Sequence, residues 1–157
     1  MIRPREIDGN RDPGSGTHLG KLLLSQFSNG ELSTDLIKKL QEDIPDFTRR
    51  TASFNLSEGP NKEIALLGGW IIQNVNDYNE LSVLIEDSFR SFCKAYLDLH
   101  GRDQQIEIQF NGSIALHGKK RLKHQLYLYG FKLGKVIDSP LDGLIDYYKE
   151  IFHEKRY

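Results

Sequence analysis

The sequence predicts a helix-rich α/β domain with a short sheet, and three stretches carry that prediction. Ile106, Ile108 and Phe110 alternate with Glu107 and Gln109, the period-two signature of a half-buried strand. After Asn111-Gly112-Ser113 the spacing lengthens, and from Ile114 a single helix is expected, with Leu116, Leu122, Leu126 and Tyr129 at helical intervals up to Gly130; a glycine there is a plausible stop. In Leu81 to Leu99 the residues Leu81, Leu84, Ile85, Ser88, Phe89, Phe92, Tyr96 and Leu99 recur at three- and four-residue steps, which marks one apolar helix face and puts Phe89 and Phe92 in the core. A second strand over Lys132 to Ile137 and a last helix opened by Ser139-Pro140, carrying Leu141, Leu144, Ile145, Tyr148 and Ile151, complete a β-α-β-α run. That order of elements belongs to layered α/β domains.

The other elements follow in chain order. Residues 1–10 are polar and aperiodic, an entry segment ahead of one domain over 11–157. The stretch R-D-P-G-S-G-T-H-L-G-K invites two phosphate-loop readings, and both fail. A P-loop ending in Gly20-Lys21 would need glycine at Ser15 and a hydroxyl at Leu22. A dinucleotide fingerprint on Gly14 and Gly16 has its third glycine, Gly20, one residue late, with no apolar strand before it. A loop leading into a helix over Leu19 to Phe27, ended by Asn29-Gly30, is the simpler expectation. Ser33-Thr34-Asp35 then caps a short helix with Leu36, Ile37, Leu40 and Ile44, and residues 46–59 are expected as loop. Pro60 opens a helix with Ile64, Leu67, Ile71, Ile72 and Val75 on one side. Its Gly68-Gly69 pair costs about 1 kcal/mol per glycine relative to alanine, so close packing of a neighbouring helix is the expected compensation.

Composition bounds the function. A chain of 157 residues with 38% apolar content holds about one domain and one core. A net charge of −1 favours neither a nucleic-acid polyanion nor an acidic membrane surface as partner. No apolar run approaches the roughly 18 residues of a membrane span, and the first residues lack an apolar signal core, so a cytoplasmic protein is expected. Cys93 is the sole cysteine and forms no internal disulfide.

Several residues are candidates for chemistry. At Gly112-Ser113 a missing Cβ would let a phosphate or nucleotide approach the backbone, although strand-to-helix turns also use Asn-Gly-Ser only to change direction and cap a helix. His117 and His124 would lie two turns apart on one helix face, too far for a shared metal ion, and no metal site is expected. Lys119, Lys120, Arg121 and Lys123 read as a solvated face. Asp138 and Asp142 flank Ser139-Pro140, as capping and dipole compensation would place them.

Three motifs recur together in one family and in the same order: R-D-P-G-S-G-T-H-L-G-K, P-N-K-E-I-A-L-L-G-G-W-I, and F-N-G-S-I-A followed by G-K-V-I-D-S-P-L-D-G-L. From Arg11 onward the chain resembles the C-terminal half of bacterial N-acetylglucosamine kinase-like proteins, within the benzoyl-CoA-reductase-activator type of ATPase and the actin, heat-shock chaperone and sugar kinase superfamily. The resemblance implies a ribonuclease H-like, actin-like C-terminal domain with a truncated sheet. It implies ATP and Mg2+ as cofactors and an amino sugar as substrate, with Asp12, Gly14 and Ser15 on the sugar side. Gly112, Ser113 and Ile114 would lie beside the nucleotide. The sequence departs from the family's G-D-E-G-S-G at Arg11 and Pro13. The family's phosphate loop, magnesium-facing aspartate and general base lie in a preceding half that nothing before Asp12 encodes, so the chain alone is expected to lack kinase activity. A complementary half or a homo-oligomer would be its partner. A non-catalytic assembly module, held by the apolar faces of the Pro60–Val75 and Leu81–Leu99 helices, and a decayed fragment are the alternatives.

Overall fold

The computed structural model describes residues 13–51, 62–97 and 106–138. Within them run α1 (Gly16–Ser28), α2 (Thr34–Asp43), α3 (Phe47–Thr51), α4 (Lys62–Asn74), α5 (Asn79–Tyr96), β1 (Glu107–Asn111), α6 (Ser113–His117), α7 (Lys119–Leu128) and β2 (Lys132–Ile137). The entry segment, Asp12, Pro60, Leu99 and the expected last helix from Ser139 with Asp142 lie outside the described residues.

Helix α1 begins about one turn before Leu19, because Ser15 caps it: the serine hydroxyl accepts the His18 N–H at 3.1 Å. Its end is the one the sequence marks. Gly30, at φ +70, donates to the Phe27 carbonyl at 3.1 Å, and Glu31 donates to Gln26 at 2.9 Å, the paired bonds of a glycine-terminated helix. The same pair closes α7: Gly130 donates to Tyr127 at 3.0 Å, Phe131 to Leu126 at 2.9 Å, and Phe131 is buried behind the turn. Ser33 caps α2 and also ties it to α5, its N–H and its hydroxyl each donating to the Glu80 carboxylate at 2.7 Å.

Two expectations are corrected. Residues 47–51 form helix α3 instead of loop; the stretch has no apolar period, and one ring anchors it, Phe47 lying 2% exposed and edge-on to Phe27 with centroids 5.0 Å apart. The single helix expected from Ile114 to Gly130 is two, divided at Gly118, where the Phe89 ring leaves no room for a side chain, lying 2.7 Å from an added Cβ. His117 and His124 are therefore on different helices, not on one face.

The core is built from Leu19, Leu23 and Leu24 of α1, Ile64, Leu67 and Ile71 of α4, Leu81, Leu84, Ile85 and Phe89 of α5, and Leu122 and Leu126 of α7. Burying each such side chain contributes about 1.5–3 kcal/mol. Helix α1 lies against α4 at backbone contact: a Cβ at Gly68 would meet the Gly16 carbonyl at 2.5 Å, and one at Gly20 would collide with the Ile64 carbonyl. Close packing thus explains Gly68, as expected, but not Gly69, which has nothing within 4 Å.

Strands β1 and β2 pair in parallel, with Ile108 opposite Leu133 and Phe110 opposite Val136, and a bulge between them. Parallel strands need a crossover, and α6 and α7 supply it. The domain is helix-rich α/β with a two-stranded sheet among the described residues.

Candidate functional site

The β1-to-α6 corner and the loop before α1 meet. They face each other across a groove of about 400 Å³, the size of a small-ligand site. One wall is Pro13, Gly14, Ser15 and Gly16; the other is Asn111, Gly112, Ser113, Ile114 and Ala115; Phe89, Phe92 and Phe110 form the floor.

Each wall turns on a glycine in the left-handed region. Gly112 has φ +118, and no heavy atom lies within 4 Å of where its Cβ would be, so the corner is open on its outer side. It is held from behind: the Gly112 N–H donates to the Ile137 carbonyl at 2.8 Å, and its own carbonyl accepts the Leu116 N–H at 3.1 Å. A glycine at this cap provides no side chain over the turn that follows. Gly14 has φ +89 and rests on Phe92, whose carbons lie 3.5–3.7 Å from the Cβ position. The Gly14 N–H donates to the hydroxyl of Ser88 at 3.2 Å, and the same hydroxyl is 2.8 Å from His18 Nδ1. Ser15 Oγ accepts its capping bond from His18, which leaves the hydroxyl hydrogen to donate outward.

The floor is aromatic. Phe92 meets Phe110 edge-on with centroids 5.3 Å apart and Tyr96 at 5.0 Å, arrangements that favour rigid rings. The expectation that Phe92 is core holds in part: it packs against the core but is half-buried and lines the groove. Among the described residues the lining contains no lysine, arginine or carboxylate, so an anion would meet backbone N–H groups and hydroxyls there. These residues do not fit a protein-held magnesium, which usually takes one or two carboxylates besides substrate phosphates.

Of the residues singled out in the sequence, Gly14, Ser15, Gly112, Ser113 and Ile114 all line this one groove, while Asp12 lies outside the described residues. Sequence reasoning missed Phe89, Phe92 and Phe110 as groove residues, since each also fits an apolar period.

The remaining candidates lie elsewhere. Arg121 Nε donates to Ser82 Oγ at 2.8 Å, while Lys119, Lys120, Lys123, His117 and His124 are exposed, as a solvated face would be. Asp138 is exposed. Cys93 is buried, and burial pushes its thiol up to about 11, so it is no nucleophile at neutral pH. Among the described residues no group of three His, Cys, Asp or Glu is placed to hold a metal, and no helix is long and apolar enough to cross a membrane. A second hollow of about 360 Å³, between Ile44, Phe47, Leu66 and Trp70, is mostly apolar, with Glu63 and Gln73 also in its lining; the indole N–H of Trp70 donates to Asp43 at 2.8 Å. Of the apolar stripes of α4 and α5 that would serve an assembly module, Ile64, Leu67, Ile71, Leu81, Leu84, Ile85 and Phe89 are buried within the chain and Ile72, Val75, Phe92 and Tyr96 half-buried, while Leu66 at 65% and Val83 at 44% are exposed.

No family model matches the sequence, and no curated protein matches it. Among solved structures the chain is similar to a Porphyromonas gingivalis protein provisionally named an N-acetylglucosamine kinase, with a TM-score of 0.69 and 28% identity. The match covers 87% of this chain and 48% of that one, so the chain spans about half the length of its neighbour. The similarity supports the kinase-like family that the motifs indicate.

Proposed function

We propose that this chain is the nucleotide-side portion of an N-acetylglucosamine kinase-like protein, and that the groove between Gly14 and Gly112 binds ATP with an amino sugar alongside. The observation that carries the proposal is the convergence of two separately read motifs on one groove: Gly14 and Ser15 form one wall, and Gly112, Ser113 and Ile114 the other. The similarity to a kinase-named neighbour at 28% identity adds to it. In this proposal β1-α6-α7-β2 is part of a ribonuclease H-like, actin-like core, residues 11–157 act as one domain, and Asp12 takes the sugar side.

The chemistry of the walls suits those ligands. Two glycine turns let phosphate or ribose oxygens come close to the backbone, Ser15 and Ser113 provide hydroxyls, and the aromatic floor offers flat apolar surface to a ring. Phosphoryl transfer needs the attacking oxygen, metal and γ-phosphate held together. The described residues of the groove lining include no carboxylate, so the general base and the magnesium-facing aspartate are assigned to residues outside that set. ATP and N-acetylglucosamine are thus ligands of this chain, and turnover belongs to the combined assembly.

Isothermal titration calorimetry tests the proposal. The chain is expected to bind MgATP, and Gly112→Val, which puts a branched side chain at φ +118, is expected to weaken binding more than about tenfold. Absence of binding to MgATP and to N-acetylglucosamine, by a folded chain, would overturn it.

A further inference from the structure

Ser88 stands out in α5 because it is polar, 0% exposed and set in the middle of an apolar stripe. A buried hydroxyl is costly unless its hydrogen bonds are made. Helix packing does not ask for one here, since alanine would fill nearly the same space and favours a helix more. What the hydroxyl does is reach across to another element: it accepts the Gly14 N–H at 3.2 Å and pairs with His18 Nδ1 at 2.8 Å. The same helix presses Phe92 under Gly14, and Phe92 meets Phe110 of β1, the strand that leads into the opposite wall. Helix α5 therefore holds the Gly14 turn through a hydrogen bond at Ser88 and spaces it from the β1 side with a ring at Phe92.

We propose that Ser88 is a positioning residue of the groove, its buried hydroxyl fixing the Gly14–Ser15 turn at the separation from Gly112 that a bound ligand requires. The inference rests on the groove being the ligand site, and it adds a residue that lies behind the lining instead of in it. A left-handed glycine has more accessible backbone conformations than any other residue. Without an acceptor for its N–H, the Gly14 turn is no longer confined to the one that shapes the wall. His18 Nδ1 pairs with the same hydroxyl, so the turn, the first turn of α1 and α5 are joined at one oxygen.

The test compares the unsubstituted chain with Ser88→Ala, a substitution that keeps the helix and the packing. Amide hydrogen exchange by NMR reads Gly14 and Gly112 together, and Gly112 is an internal control because its N–H goes to Ile137, away from Ser88. Exchange at Gly14 is expected to accelerate at least about tenfold while Gly112 is unchanged. Calorimetry with MgATP and with N-acetylglucosamine is expected to show at least one of the two weakened about tenfold. Unchanged exchange at Gly14, equal acceleration at both glycines, or unchanged affinity for ligands that the unsubstituted chain binds would each overturn the positioning role. If the unsubstituted chain binds neither probe while Gly14 still responds selectively, the hold on the turn stands and the assignment of the groove to ATP and an amino sugar falls.

Discussion

Two sets of glycines in this chain do different physical work. Gly16, Gly20 and Gly68 lie in the α1–α4 contact, where the backbone of one helix occupies the place of the other's Cβ. Gly14 and Gly112 lie on an open groove, where the missing Cβ matters because the backbone turns at φ +89 and φ +118. The first set is needed to bury Leu19, Leu23, Ile64 and Ile71 at close range; the second shapes the two walls of the groove, the N–H of each glycine being held within the protein by Ser88 and Ile137. The contrast shows that Gly14, Gly16 and Gly20, which look like fragments of a phosphate loop in sequence, divide between a wall and a packing seam.

Substitutions sharpen this contrast. The largest effect is expected at Gly20→Val, where the added side chain meets the Ile64 carbonyl and cannot be relieved by a rotamer change; a loss of about 3 kcal/mol is expected in chemical denaturation, with Gly68→Ala at about 2 kcal/mol. Next comes Gly112→Ala, expected to cost about 1–2 kcal/mol of stability through backbone strain. Its defining outcome is a fall in ligand affinity larger than that caused by any packing glycine once the fraction folded is matched. Gly69→Ala has the opposite sign: with open space at that position, removing a glycine from the interior of α4 is expected to raise stability by about 0.5–1 kcal/mol in the same assay. A destabilised Gly69→Ala would break the division into packed and unpacked glycines.

The smallest expected effect lies away from glycine. The hydrogen bond from Lys39, and after it that from the Trp70 indole, hold the Asp43 carboxyl below its ordinary value of 3.8. A group whose folded pKa is depressed adds stability that is present above its unfolded value and disappears as pH falls through the folded one. Acid unfolding followed by circular dichroism from about pH 5 downward is therefore expected to be slightly shallower for Asp43→Asn, an exposed site where solvent screens the charge.

Some of this was legible in the sequence and some was not. The ends of α1 and α7 were, because Gly30 and Gly130 are local signals for a helix stop and both take the left-handed conformation. Strand β1 was, because Ile108 and Phe110 turn to one side while Glu107 and Gln109 face solvent. The break at Gly118 was not, since the ring of Phe89 that excludes a side chain there is on another helix. Nor was α3, which one aromatic anchor holds in place of a periodic face. Each wall of the groove was visible as a glycine-serine turn, but nothing local says that distant turns face each other or that Phe92 of an apolar stripe is a floor residue. Ser88 had one signal, a hydroxyl in an apolar period, and the tertiary partner that explains it is on α1.

The most direct measurement of the central claim is an NMR titration of the 15N-labelled chain with MgATP. The amides of Gly14 and Gly112 are expected to shift together and saturably, while those of Gly20 and Gly68 remain in place. Shifts confined to the α1–α4 seam, or no shift at either turn in a folded chain, would contradict it.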